Sequence, residues 1–273
     1  MQLYYLGPKG TFSYLACRQY FSENEATFQP KSNLFEVIKA VADDDASIGV
    51  VPIENSIEGT INIVADALAQ QDVFAHGEIR LDINFALYGN GSNTISDIKK
   101  VYSIAPAISQ TTNYIHQHQF DYDYVDSTIQ SLTKIENGVA AIAPLGSGEA
   151  YGFTPIDTHI EDYPHNVTRF LVIKNQQQFD QNATSLMFLI TPMYDKPGLL
   201  ASVLNTFALF NINLSWIESR PLKTQLGMYR FFVQADSAIT TDIKKVIAIL
   251  ETLDFKVEMI GACLLYTSDA ADE

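Results

Sequence analysis

Basic residues are scarce in this chain. Its 273 residues hold 17 Lys and Arg against 32 Asp and Glu, a formal charge of −15. A nucleic-acid binder needs basic surface to displace counterions, so that class is excluded, and docking on an anionic membrane is excluded with it. A small anionic ligand remains compatible, provided local donors rather than the overall field hold it. Cysteine is scarcer still. Cys17 and Cys263 support neither a disulfide framework nor a zinc site, and Cys17 reads as a small core residue on a helix. His116 and His118, at i and i+2, face opposite sides of a helix and make a poor metal pair. No apolar run approaches the ~20 residues of a membrane span. Met1 leads straight into an apolar strand, without the basic region and cleavage site of a secretory signal. The expectation is a soluble, cytoplasmic protein.

What is plentiful is apolar. A hydrophobic share of 47% can bury a substantial core and suggests two domains. Residues 1–175 alternate short β-rich runs with helical patterns, which predicts a wound α/β architecture. Strands are expected over 3–6, 47–52, 79–88, 100–104, 122–125, 139–143 and 169–173. Helices are expected over 12–21, 33–42, 60–70, 110–118 and 128–137, with a short one over 148–151. The long strand 79–88 would carry the chain into a second lobe and strand 169–173 would return it, leaving a cleft between two lobes. Residues 176–184 read as a linker. Beyond them, strands over 185–191, 212–218, 228–234 and 255–260 enclose helices over 198–210 and 241–253. This is the β-α-β-β-α-β order of a ferredoxin-like fold, and such small sheets commonly pair into oligomers.

Four turns in the first region share one design, in which a strand ends, a Gly/Ser/Thr/Asn-rich turn follows and a helix begins. They are Gly10-Thr11-Phe12-Ser13, Asn55-Ser56 leading to Gly59-Thr60, Ser109-Gln110-Thr111-Thr112, and Asp126-Ser127-Thr128. Each alone is ordinary helix capping. Four together would present backbone N–H groups, hydroxyls and positive helix ends to one small polyanion.

Three stretches in this order, Gly7-Pro8-Lys9-Gly10-Thr11-Phe12-Ser13, Val51-Pro52-Ile53-Glu54-Asn55-Ser56 and Asn166-Val167-Thr168-Arg169-Phe170, are followed by Glu218-Ser219-Arg220-Pro221. Together they resemble prephenate dehydratase with a C-terminal ACT regulatory domain. The resemblance covers Met1 to about Ala262. It implies a two-lobed, periplasmic-binding-protein-like α/β catalytic domain over 1–175 and a ferredoxin-like ACT domain over 185–262. It also implies decarboxylative dehydration of prephenate to phenylpyruvate, without metal or cofactor, because aromatisation drives the reaction. Thr168 matches the catalytic threonine, a positioned donor to the leaving oxygen. Arg169 would hold the retained carboxylate through a bidentate contact, and Asn55 would donate or accept in the same site. Ser103, Gln110, Ser127, Thr128, Thr11, Ser13 and Phe170 are the implied substrate neighbours. The chain departs from the family where Ile104-Ala105-Pro106 replaces the frequent His-Pro-Gln, and in the stretch Ala143-Pro144-Leu145-Gly146-Ser147.

The same resemblance places a feedback site for phenylalanine at Gly198, Leu199, Leu200, Asn213, Leu214, Glu218, Ser219, Arg220 and Pro221, between two ACT domains of a homodimer or homotetramer. Leu199 stands where the family has alanine. Arogenate in place of prephenate stays open, as does an amino-acid sensor without catalysis. No chorismate mutase region precedes Met1, so that fused activity is not expected. Residues 263–273 look like the in-frame translation of a sequencing-library adapter and are expected to be foreign, with 267–273 exposed and 264–266 able to extend the last strand.

Overall fold

The computed structural model describes residues 1–22, 24–91, 94–222 and 227–266. The chain begins with β1 (Gln2–Leu6), α1 (Phe12–Tyr20), β2 (Thr27–Lys31), α2 (Leu34–Ala42), β3 (Ile48–Asn55), β4 (Gly59–Thr60), α3 (Asn62–Leu68) and β5 (Phe74–Asp82). It continues through β6 (Phe85–Tyr88), β7 (Lys100–Ser103), α4 (Ala105–Ser109), α5 (Thr112–His118), β8 (Asp121–Tyr124), α6 (Thr128–Leu132), β9 (Val139–Pro144) and β10 (Pro155–Thr158). It returns as β11 (Val167–Lys174) and ends with β12 (Ser185–Pro192), α7 (Leu199–Leu209), β13 (Leu214–Pro221), β14 (Tyr229–Ala235), α8 (Thr241–Thr252) and β15 (Phe255–Tyr266). Among the described residues no helix is long and apolar enough to cross a membrane.

Two α/β lobes form, as the alternating pattern predicts. The first is built on β5, β11, β3, β1 and β2, and the second is a five-stranded sheet in the order β10-β6-β9-β7-β8. The expected strand 79–88 is two strands: β5 ends at Asp82 in the first sheet, and β6 starts at Phe85 in the second. Between them Ile83 donates its N–H to the Asn166 carbonyl, so the outgoing and returning segments are tied together at the crossover. Hydrophobic periodicity reports burial on both sides of such a junction and cannot say that the sheet has changed. β2 escapes the pattern because it is polar and carries Pro30, which an edge strand tolerates. The expected helix 110–118 is α5, starting at Thr112, and the sequence reading lacks the short α4 that precedes it, with Gln110 between the two.

In the C-terminal unit the strands run β13-β14-β12-β15, all antiparallel. Helices α7 and α8 cover one face through Val203, Phe207, Ile243, Val246 and Leu250. The other face brings Met187, Leu189, Trp216, Phe232 and Ile260 against α2, α3 and the first lobe. β15 also runs parallel to β5 with Gly261 opposite Ala75, so one ten-stranded sheet spans both units. A Cβ at 261 would sit 2.7 Å from the Ala75 Cβ, which is why glycine stands there. The segment read as a linker is anchored: Gln176 Nε2 donates to the Asp45 carbonyl (3.0 Å), and Phe179 packs on Phe74 and His76. Cys263, read as the first foreign residue, is fully buried, and its carbonyl accepts from Thr184 N–H. Strand pairing alone carries 264–266 along β5, and 267–273 lie outside the described residues.

Candidate active site

β1 and β3 run parallel in the first sheet, and β7, β8 and β9 run parallel in the second. Ligands of such sheets collect at the C-terminal strand ends. Asn55 ends β3, Ser103 ends β7, and Ser127 follows the end of β8. The return segment 159–166 passes between the lobes before it enters β11.

The decisive local feature is a bulge. Along β3 and β11 the partners are Val51 with Leu171, Pro52 with Phe170, then Glu54 with Arg169 and Asn55 with Thr168. Ile53 is the extra residue. Were Ile53 paired in the ladder, strict alternation would put Asn55 on the face of Val51 and Leu171. The extra residue shifts the phase, so Asn55 lies beside Thr168 and Glu54 beside Arg169.

Asn55 is then fully engaged. Its Oδ1 accepts from the N–H groups of Ile57 (2.9 Å) and Glu58 (3.0 Å), which fixes the orientation of the amide. Its Nδ2 donates to Thr168 Oγ1 (2.9 Å) and to Asn166 Oδ1 (2.7 Å). Asn166 Nδ2 in turn donates to Gln110 Oε1 (2.8 Å). Asn55, Thr168, Asn166 and Gln110 are all less than a tenth exposed. Among the described residues the Thr168 hydroxyl accepts from Asn55 and donates to no protein group. Its proton is therefore left uncommitted among these groups. The resemblance has Asn55 donate or accept in the same site; here both its donors and its acceptor are committed to protein groups, Thr168 among them. Asn166 is a site residue that the sequence reading misses. The available signal is its position two before Thr168, since i and i+2 share a strand face.

Arg169 and Phe170 do not join this group. Neighbours on a strand point to opposite faces. The Arg169 guanidinium points away from Thr168, lies 3.1 Å (Nε) from Glu54 Oε2 and 3.2 Å (Nη1) from Glu78 Oε2, and donates to Gln234 Oε1 at 2.6 Å. The Trp216 ring lies 5.7 Å away. These partners cover Arg169 on the side where the C-terminal unit docks, so it is not placed to grip a substrate carboxylate. Phe170 is core, packed with Tyr5, Tyr14 and Ile79.

The hydroxyls divide by what already occupies them. Thr11 caps α1, accepting from Tyr14 N–H and donating to the Leu6 carbonyl. Ser127 caps α6 by accepting from Gln130 N–H. Ser103, buried, donates to the Ile142 carbonyl (2.6 Å) and ties β7 to β9. Ser13 and Thr128 are buried at the starts of α1 and α6. Gln110 commits its oxygen and leaves Nε2 without a protein acceptor among the described residues. No three His, Cys, Asp or Glu side chains among the described residues could together hold a metal ion. Burial pushes the Cys17 thiol well above its ordinary range, which keeps it inert.

The sequence profile described as prephenate dehydratase matches residues 3–178. The prephenate dehydratase of Methanocaldococcus jannaschii is 36% identical over 244 residues, covering 85% of this chain and 87% of that protein. The chain belongs to the prephenate dehydratase family. The crystal structure of the prephenate dehydratase from Staphylococcus aureus subsp. aureus Mu50 is 97% identical, with a TM-score of 0.93, and covers 97% of this chain and 100% of that one. The structure of the Arthrobacter aurescens prephenate dehydratase in complex with L-Phe is 28% identical, with a TM-score of 0.85, over 98% of this chain and 91% of that one.

The C-terminal motif that suggests this prephenate dehydratase family splits across its strand. On β13, Trp216 and Arg220 face the first lobe. Trp216 Nε1 donates to Thr60 Oγ1 (3.3 Å), and Arg220 clasps Asp66 of α3 with two bonds of 3.0 and 3.1 Å. Glu218 has the same parity. Ser219 faces the other way and lines a cavity of about 380 Å³ with Leu199, Leu200, Lys196, Tyr229 and Phe231. Gly198 opens α7 beside it at φ +86°, a left-handed conformation that costs other residues strain. Asn213 and Leu214 do not join them. At about 3.3 Å per strand residue they sit roughly 17 and 20 Å from Ser219, Leu214 the nearer, and Asn213 donates to Asp236 at 2.6 Å.

Proposed function

We propose that this chain converts prephenate to phenylpyruvate, carbon dioxide and water. The observation that carries this reading is the Thr168 hydroxyl, oriented by Asn55 and with its proton uncommitted. As the C–CO2 bond breaks, its electron pair enters the ring and expels the ring hydroxyl. Thr168 donates to that departing oxygen, which gathers negative charge in the transition state, and the proton that completes water is replaced from solvent. Gln110 Nε2 and the Ser103, Ser127 and Thr128 region would face the substrate from the second lobe. Thr11 and Ser13 would shape the opposite wall through the start of α1. Arg169, held by Glu54 and Glu78, serves the join between the units instead.

Residues 185–262 are read as an ACT regulatory domain following a catalytic domain over 1–175, supported by the β-α-β-β-α-β order and the 2-3-1-4 arrangement of its strands. The 380 Å³ cavity at Leu199, Leu200 and Ser219 is the proposed site for phenylalanine, whose ring would meet Tyr229 and Phe231. A second copy of the chain in a homodimer or homotetramer would bring the outlying Asn213 and Leu214. The setting proposed is cytoplasmic. Incubating the purified protein with prephenate should yield phenylpyruvate, and adding phenylalanine should suppress it. No phenylpyruvate from folded protein would overturn the catalytic reading, and calorimetry without a phenylalanine signal at millimolar ligand would overturn the regulatory one.

A further inference from the structure

We propose that Asn166 is a positioning residue that decides which end of the Gln110 amide faces the substrate. Hydrogen-bond direction is passed from group to group through the crossover. Two backbone N–H groups, of Ile57 and Glu58, can only donate, so Asn55 must present Oδ1 to them and Nδ2 to its other neighbours. Asn166 must then turn Oδ1 toward Asn55, which leaves its Nδ2 for Gln110. Gln110 must accept with Oε1, and so its Nε2, a donor pair, is the end left over. A backbone turn in the first lobe thereby fixes the polarity of a side chain in the second, through three neutral amides. A donor suits a dianionic substrate. The opposite orientation would aim a carbonyl oxygen at a carboxylate or hydroxyl oxygen.

Asparagine is the residue that does this because it carries an acceptor and a donor at opposite ends of one plane. An aspartate in its place would keep the bond from Asn55 Nδ2 but could only accept. Gln110 would then have to turn and donate to it, exposing Oε1 to the substrate. Protonating that carboxylate restores a donor and with it the original direction. The inference rests on the proposed reaction for its kinetic arm only.

The experiment uses the full chain with Asn166→Asp, and prephenate turnover is measured from about pH 5.5 to 8.5. The ionisable neighbours, Asp162 and His165 on the return segment, Glu54 and Glu58 around Asn55, Asp82 opposite Val167 on β5 and Glu161 beside β6, are the same in both proteins. The ratio of variant to parent therefore isolates residue 166. At pH 8.5 the KM should rise about tenfold with kcat within about threefold, the scale of one lost charge-facing hydrogen bond, and the ratio should return toward one as the pH falls. A ratio that does not change with pH, or a fall in kcat alone, would overturn the inference. Side-chain amide NMR of the ligand-free proteins gives a readout that needs no activity. The Gln110 NH2 resonances should move with pH in Asn166→Asp and stay fixed in the parent, and fixed resonances in both would count against the inference. If the parent makes no phenylpyruvate, the functional reading fails and the NMR result still decides this one.

Discussion

Two seams hold this molecule together, and they use opposite chemistry. Between the lobes, the Asn55–Asn166–Gln110 chain is neutral throughout. At the join of the catalytic sheet and the C-terminal unit charge is present: Arg220 pairs with Asp66 across it, and Arg169, paired with Glu54 and Glu78 inside the sheet, donates across it to Gln234. The difference follows from what each seam borders. In the proposed reaction Thr168 responds to charge developing on a departing oxygen, and a fixed charge beside it would bias that response. Amides transmit direction without adding a field. The outer seam has no reaction to protect, and buried charges there make docking specific, because a misplaced partner leaves an unpaired ion. The lesson is that adjacent residues on β11, Thr168 and Arg169, belong to different machines.

The largest expected effect lies on the neutral side. Thr168→Ala should lower kcat by about 10²-fold or more with the circular dichroism unchanged, while Thr168→Ser, which keeps the hydroxyl, should recover a large part of it. A folded Thr168→Ala protein with near-parental turnover would dissolve the distinction between the seams. On the charged side, Glu78→Gln should cost about 3 kcal/mol of stability, because it strips one of two carboxylates from a buried guanidinium. A denaturant midpoint within error of the parent would show that Glu54 alone suffices, and a kcat loss matching that of Thr168→Ala would place Arg169 in the chemistry after all.

A smaller effect is expected at the partly exposed pair. Arg220→Lys loses the two-pronged grip on Asp66 and should cost about 0.5–1 kcal/mol. Its sharper readout is the phenylalanine concentration for half-inhibition, which should shift severalfold while uninhibited kcat holds. An unmoved value would mean that the two faces of β13 do not communicate. The smallest effect is at His76, beside the anchored segment. Burial lowers its pKa below the ordinary 6.5, outweighing the Gln176 carbonyl, which raises it. The unfolded chain then takes up the proton first, so this stabilisation is present above pH 6.5 and is lost as the pH falls through and below it. An NMR titration of the ring should show the depressed midpoint, and His76→Phe should flatten the loss of stability between pH 7.5 and 5.5.

Much of this is readable in the residues, and the failures have physical causes. Asn55 and Gln110 stand in two of the four polar turns that the pattern makes legible, whereas Thr168 is marked only by the resemblance of its stretch to the family. Arg169 is drawn into the site by its neighbour, although strand alternation alone separates adjacent residues. The jobs of Thr11 and Ser127 as caps are legible from their place before a helix, and the structure shows that this is where their hydroxyls are used. The single strand expected over 79–88 fails because periodicity has no term for a change of sheet. Asn166 goes unremarked since its partners, Asn55 and Gln110, are remote in sequence and meet only when the lobes close on the return segment.

The bulge at Ile53 makes the register of β3 as important as its composition. Exchanging Ile53 for another aliphatic residue alters packing by a methyl group or so, a loss of about 1 kcal/mol. Deleting it would close the ladder with the present pairs kept, Glu54 with Arg169 and Asn55 with Thr168, whereas drawing it into the ladder would pair Ile53 with Arg169 and turn Glu54 toward Thr168. Only in the second case would the two seams trade residues. Across natural variants position 53 should therefore be a bulge of any aliphatic spelling or be missing altogether, and never a paired rung.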